Sequence, residues 1–125
     1  MIELWKACDL VRPWNNPNRD IDRKLSFQPE FFFLGVEGNK LVASAMAGYD
    51  GHRGSVYYLA VHPDCQGRGY GKDLMQHIEN VLMQVGCPKL NLVVRSTNEN
   101  VLGFYNHLSY EPDPVISLGK RLIED

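Results

Sequence analysis

The clearest periodic pattern in the chain lies over residues 72–85. Apolar residues recur there every three or four positions, and charged or amide side chains fill the positions between them. Gly86 follows at the place where helices commonly end, and Pro88 comes two residues later. The pattern predicts an amphipathic helix over these residues.

Three stretches upstream are rich in β-branched and aromatic residues and are typical of strands. They cover residues 31–37, 40–49 and 55–61. Gly38 and Asn39 give a two-residue turn signal between the first two stretches, and residues 50–54 form a polar loop bounded by glycine. We therefore expect an antiparallel meander of three strands.

Weaker signals complete the order of elements. Apolar spacing predicts a first helix that Pro13 limits, and the pair Asn16-Pro17 predicts the start of a second helix. Downstream we expect a doubly buried strand over residues 90–94, a helix over residues 98–108 and a last strand over residues 115–122. This order indicates one α+β (mixed α/β) domain over residues 1–125, with a mostly antiparallel central sheet flanked by helices.

Composition narrows the class of protein. The 13 Lys and Arg side chains against 15 Asp and Glu give a formal net charge of −2, which argues against a nucleic-acid or membrane partner. No apolar run is long enough to span a membrane, and no spacing predicts a metal site. Three widely spaced cysteines favour a reducing cytoplasm.

The glycine-rich stretch before the amphipathic helix is the main candidate for chemistry, and it reads Gln66-Gly67-Arg68-Gly69-Tyr70-Gly71-Lys72. Glycines let a backbone approach a ligand closely, and the start of a helix attracts phosphate. The dinucleotide fingerprint and the nucleotide P-loop both fail on spacing, which disfavours a nucleotide-binding domain. A purely structural turn is the alternative.

Gln66, Gly69 and Gly71 match the acyl-CoA signature of the GNAT acetyltransferase superfamily, which this segment resembles. The resemblance implies acetyl-CoA as cosubstrate, with residues 66–72 binding its diphosphate. It also implies that the pantetheine arm lies along Leu59, Ala60 and Val61, where a backbone N–H near Ala60 or Val61 stabilises the thioester oxygen. A catalytically silent acyl-CoA-binding or regulatory module is the alternative function.

A second segment resembles the same family through Asn98 and Tyr105, seven positions apart. The resemblance implies that both contact the cofactor and that Tyr105 protonates the departing thiolate. Ser109 and Tyr110 depart from the family's usual Gly-Phe pair. The alternative for Tyr105 is a core aromatic side chain whose hydroxyl needs a partner.

The group that deprotonates the amine is less clear. Some family members use a glutamate where this chain has Val93, and others use a carboxylate on the central strand, where it has Tyr57 and Tyr58. The candidate bases are therefore Asp50, His52 or a water chain through these tyrosines. Asp-Gly is also a common turn pair, and both residues have a structural alternative as loop formers.

For the acceptor, we expect a small-molecule or peptide amine. Its candidate binding residues are Arg12, Trp14, Arg53 and Tyr57. Cationic side chains there would favour an acceptor that carries a carboxylate, with surface and packing roles as the alternatives.

Residues 8–15, 48–54 and 118–125 resemble a bacterial branch of the family, the YpeA-type acetyltransferases. Members of the superfamily normally begin with a strand that this chain lacks, so one edge of the sheet is expected to be uncovered. An uncovered edge favours pairing with a second chain, and we expect a possible homodimer.

Overall fold

The structure is a computed structural model, and it describes residues 2–8, 10–11, 13, 16–94 and 98–124. The chain divides into two compact units: the first runs to Asn91, and the second runs from Leu92 to Glu124. The predicted substrate-binding residues Arg12 and Trp14 lie outside the described residues.

The first unit holds three helices and most of the sheet. Its helices are α1 (Ile2–Ala7), α2 (Pro17–Ser26) and α3 (Tyr70–Gln84), with short 3-10 turns at Pro29–Phe31 and Pro63–Cys65. Its strands are β1 (Phe32–Glu37), β2 (Lys40–Tyr49) and β3 (Gly54–Val61), and β4 (Leu90–Leu92) begins in it. The second unit contains α4 (Glu99–His107).

The strands form one sheet in the order β1-β2-β3-β4, and both the β1–β2 and β2–β3 pairs are antiparallel. Neighbouring residues of a strand point to opposite faces. Ala43 packs in the cluster that includes Tyr70 of α3, whereas Ser44 bonds to Trp5 of α1. The two helices therefore cover opposite faces, and the predicted mixed fold with a mostly antiparallel sheet is confirmed.

Strand β3 is interrupted by a bulge in its pairing with β2. Ser44 lies opposite Ala60 and Met46 lies opposite Tyr57, so one residue of β2 faces both Tyr58 and Leu59 of β3. Tyr58 has a φ of 54°, which is uncommon for a residue with a side chain. An extra residue bends a strand and re-aims its side chains.

Local chemistry explains where the helices begin. The Asn16 side chain accepts hydrogen bonds from the N–H groups of Asn18 at 3.0 Å and Arg19 at 3.3 Å, as expected of an N-cap. Helix α3 begins at Tyr70, two residues before the predicted start, because Gly69 adopts a left-handed conformation and serves as its N-cap. No helix in the described part of the chain has the length and apolar character to cross a membrane.

Two predicted strands differ from the structure. Strand β4 ends at Leu92 and is half-buried rather than buried on both faces, and Val93 is 76% exposed. The last strand expected over residues 115–122 is wrong, because this segment has neither helix nor strand and Leu118 is 90% exposed. An apolar pattern alone does not make a strand when no neighbouring strand satisfies its backbone.

Candidate active site

The glycine-rich loop gives the start of α3 an open approach. Gly67 and Gly69 have φ values of 82° and 83°, and no atom lies within 4 Å of the place where a Cβ would stand on either. Gly69 provides no side-chain cap, so the first amides of α3 receive no acceptor from it. Such a helix start is suited to an anion such as phosphate.

Glu37, at the end of β1, organises the side chains on this loop. Its carboxylate accepts a hydrogen bond from the Tyr70 hydroxyl at 2.5 Å and lies 3.7 Å from the Arg68 guanidinium. The hydrogen bond to Glu37 raises the pKa of Tyr70. No motif in the sequence connects Glu37 with the loop, because the contact joins residues more than thirty positions apart.

The end of β3 is tied to both neighbouring segments through one carbonyl group. The Val61 oxygen accepts hydrogen bonds from the Gln66 amide and from the Cys8 thiol, both at 3.1 Å. Ala60 is only 2% exposed, and the bulge at Tyr58 lies directly before it. Gln66 therefore connects the glycine loop to the irregular part of the strand.

A cleft of about 680 Å³ lies between α2 and the ends of β2 and β3. Tyr57 and Asp50, both predicted as site residues, line it. Arg53 does not line the cleft and instead donates a hydrogen bond to the His52 carbonyl at 2.9 Å.

The Asp50 side chain forms hydrogen bonds within the turn that begins at this residue. Its Oδ1 accepts hydrogen bonds from the backbone N–H groups of His52 at 2.7 Å and Arg53 at 2.8 Å. The bonds from Arg53 and His52 lower the pKa of Asp50. These contacts favour a role in shaping the loop, and the assignment of Asp50 or His52 as a base stays a prediction.

The cleft also contains a carboxylate that the sequence did not suggest. Asp20 of α2 accepts a hydrogen bond from the Tyr58 hydroxyl at 2.5 Å, and its other oxygen lies 3.4 Å from Arg23. The Tyr58 ring stacks on Trp5 with centroids 4.0 Å apart, and the Trp5 indole donates to Ser44 at 3.0 Å. The only local signal for Asp20 was its position on a predicted helix.

The second unit holds the other two predicted residues. The Asn98 side chain accepts a hydrogen bond from the Val101 N–H at 3.3 Å and so caps α4. Tyr105 is buried, and burial raises its pKa to about 12. Its ring lies edge-on to Phe104 and Tyr110. The Tyr105 hydroxyl therefore keeps its proton at neutral pH and is able to donate it.

Comparison with known proteins identifies the family. The sequence pattern of the acetyltransferase (GNAT) family matches residues 1–110. An acetyltransferase of Yersinia enterocolitica is 53% identical over 125 residues, which are 100% of this chain and 89% of that protein.

Two solved structures of acetyltransferases share the fold. An aminoglycoside acetyltransferase from an uncultured soil metagenomic sample has a TM-score of 0.75 at 21% identity, over 98% of this chain and 86% of that one. The ribosomal-protein-S18-alanine N-acetyltransferase of Escherichia coli has a TM-score of 0.62 at 26% identity, over 78% of this chain and 61% of that one. The chain belongs to the GNAT family of acetyltransferases and is an acetyl-CoA-dependent N-acetyltransferase.

Proposed function

We propose that this acetyltransferase moves the acetyl group of acetyl-CoA directly onto an amine of a small molecule or a protein, with the glycine loop as its cofactor grip. The observation that carries the proposal is the open, left-handed backbone of Gly67 and Gly69 at the start of α3, which has no side-chain cap. A diphosphate needs several N–H donors at close range, and this arrangement supplies them.

Different residues of the loop contact different parts of the cofactor in this proposal. Gln66, Gly67, Gly69 and Gly71 offer backbone amides to the diphosphate, while Tyr70 keeps Glu37 against the loop. The cations beside these amides are Arg68 and Lys72, which supply charge for the phosphates. The pantetheine arm follows Leu59, Ala60 and Val61, just after the bulge in β3.

Tyr105 is our proposed general acid. Acetyl transfer breaks the C–S bond, and the departing thiolate needs a proton. Burial raises the pKa of Tyr105 to about 12, so its hydroxyl is protonated at neutral pH and is available as a hydrogen-bond and proton donor to the departing sulfur. Asn98 fixes the first turn of α4, on which Tyr105 stands, and we propose that it supports the cofactor in this way.

The acceptor amine enters the cleft lined by Tyr57 and Asp50. The solved relatives of the same fold include an acetyltransferase of aminoglycosides and one of a ribosomal protein, so both small and large amines are acceptor classes to test. We propose that the turn of His52 and Arg53 borders this entrance.

The test separates binding from chemistry. Calorimetry with acetyl-CoA, CoA and ATP should give binding of the first two and none of the third. Release of the CoA thiol should then require an amine. A library of acidic, basic and peptide amines is assayed to find which of them act as acceptors. Tight binding of acetyl-CoA without thiol release by any amine would instead identify a catalytically silent acyl-CoA-binding module.

We also propose that the protein works in the cytoplasm and forms a homodimer. The cysteines Cys8, Cys65 and Cys87 are all free thiols, which suits a reducing compartment. On β1, at the edge of the described sheet, Leu34 and Val36 are more than half exposed, which favours association. Light scattering during size-exclusion chromatography measures the mass directly, and a monomer at high concentration would contradict the dimer.

A further inference from the structure

The cleft beside α2 has a mainly apolar and aromatic lining that includes two carboxylates. Its apolar and aromatic lining includes Leu10, Phe27, Met46, Tyr49 and Tyr57. Asp20 and Asp50 are the two acidic residues of this lining. Such a lining favours a ligand with an apolar body, and aromatic faces attract a cationic group.

The two carboxylates differ in what they are able to do. Asp50 holds the N–H groups of its own turn through Oδ1. The Asp20 side chain is 22% exposed, and its Oδ2 is joined to the Tyr58 hydroxyl. Asp20 is therefore the acid already connected to a group that is able to pass a proton.

Tyr58 is fixed in place from both sides. Its ring lies flat against Trp5, with an angle of 8° between the planes, and its backbone forms the bulge of β3. The hydroxyl consequently meets Asp20 from a rigid sheet rather than from a mobile loop. A proton relay requires this kind of fixed alignment between donor and acceptor.

We propose that the cleft binds a primary amine with an apolar or aromatic body, that Asp20 attracts its ammonium group, and that Tyr58 and Asp20 together remove its proton. The proposal rests on the proposed acetyl transfer, because it concerns the acceptor half of the same reaction.

The proton balance is simple. A free alkylamine has a pKa near 10.4, so it enters mostly as ammonium. The ammonium gives a proton to the Tyr58 oxygen while the Tyr58 O–H passes its own proton to Asp20, which leaves a neutral amine and a neutral carboxylic acid. Nitrogen then bonds to the acetyl carbon, the C–S bond breaks, and the second nitrogen proton is lost as the thiolate gains one. Asp20 later releases its proton to water.

The electrostatic surroundings of Asp20 are mixed. The other charged and titratable groups that line the cleft are Arg23 and Lys24 on the same helix and Tyr49, Asp50, Tyr57 and Tyr58 on the sheet side. The Lys24 ammonium donates a hydrogen bond to the Ala47 carbonyl and lies 5.8 Å from the centre of the Phe31 ring. Arg23 and Lys24, the two cations of the cleft lining, disfavour acceptors with several positive charges, which restricts the class further to amines with a single ammonium group.

The first experiment measures acceptor binding without turnover. Benzylamine and its uncharged counterpart benzyl alcohol are titrated into the full-length protein, with Asp20→Asn and Asp22→Asn as matched variants. Asp22 is exposed on the same helix and does not line the cleft. We expect Asp20→Asn to weaken benzylamine binding about tenfold or more, since it removes a charge-assisted hydrogen bond, and to leave benzyl alcohol unchanged. Equal benzylamine affinity in both variants would overturn the proposal.

The second experiment measures proton removal. With benzylamine as acceptor, Asp20→Asn and Tyr58→Phe should each lower kcat/KM at pH 7 about 100-fold, and the double variant should be no slower than either. The rate of both variants should rise steadily with pH, because only the free amine then reacts. The proposed relay would be overturned if the pH profiles of the variants matched the wild type, or if the losses of kcat/KM added up in the double variant.

Two further measurements separate this inference from the proposed function. Acetyl-CoA affinity should match the wild type in Asp20→Asn, because Asp20 does not belong to the glycine loop, and a cooperative thermal unfolding transition should show that the variant is folded. Failure of the wild-type protein to bind acetyl-CoA would contradict the proposed function. A different result would contradict only the role of Asp20: acetyl-CoA still binds, and Asp20→Asn and Asp22→Asn have the same affinity for benzylamine.

Discussion

Single side chains connect the sheet to both candidate sites. Tyr58 joins the bulge of β3 to Asp20, and Glu37 joins the edge strand to Arg68. The sequence identified Gln66 and Gly69 because their spacing and the helix behind them are local features. It could not identify Asp20 or Glu37, since each meets its partner only after distant segments pack together.

At Ser44 we predict that a substitution lowers stability and leaves the fold unchanged. Ser44→Ala leaves the buried Trp5 N–H without its acceptor and should lower the free energy of unfolding by about 1–3 kcal/mol. Ser26→Ala is the control. Ser26 is exposed, so this substitution should lower the free energy of unfolding by less than about 0.5 kcal/mol. Urea unfolding measures both. Equal losses in the two variants would show that the indole finds another partner.

Tyr105 gives a pH-dependent prediction. Its pKa in the folded protein, about 12, lies above the ordinary value near 10, so the folded state keeps a proton that the unfolded state loses. Its contribution to stability is complete below about pH 10 and is lost as the pH rises towards 12, at about 1.4 kcal/mol per pH unit.

Tyr105→Phe should flatten this alkaline decline and lower kcat by about 100-fold at pH 7. Unfolding in urea at pH 9 and pH 11, together with thiol release under conditions where chemistry limits the rate, provides the two measurements. Tyr110→Phe is the matched control, because Tyr110 is the neighbouring tyrosine and is not assigned to catalysis. Unchanged turnover in Tyr105→Phe would remove the general-acid assignment.

Among the elements, those with strong local signals were predicted well. The apolar stripe of α3 and the turn at Gly38 gave α3 and the β1–β2 hairpin within two residues. The bulge at Tyr58 was not predicted, because no glycine marks it and the stacked Trp5 ring comes from another element. The strand expected over residues 115–122 was wrong because an apolar pattern does not supply a pairing partner.

The loop before α3 is tested by two matched glycine substitutions. Gly69→Ala and Gly38→Ala both place a side chain on a left-handed residue with open space around it, so each should cost about 1 kcal/mol of stability. Only Gly69→Ala should also weaken acetyl-CoA binding, because only Gly69 belongs to the loop that we propose binds the diphosphate. Calorimetry and urea unfolding provide the comparison, and equal affinities would contradict the assigned role of the loop.

On the scale of the whole molecule, the segment after α4 leaves apolar side chains in water. Ile116 is 85% exposed and Leu118 is 90% exposed. A variant that lacks residues 115–125 should therefore keep its free energy of unfolding within about 0.5 kcal/mol and keep its affinity for acetyl-CoA. It should scatter less light at high concentration, because exposed apolar groups promote association. A large loss of stability would mean that this segment packs against the protein in solution.

The proposed acceptor cleft and the proposed cofactor-binding loop use different parts of the first unit. One wall of the cleft is α2, a ten-residue helix without a buried residue, whereas the proposed cofactor-binding loop belongs to β3 and to α3, which buries Met75, Ile78 and Leu82. Substitutions on a solvent-facing helix are tolerated far more readily than those in a core. A lineage with this architecture is able to acquire new acceptors by varying Arg23 and the other exposed residues of α2, while the segments proposed to deliver the acetyl group are inherited unchanged.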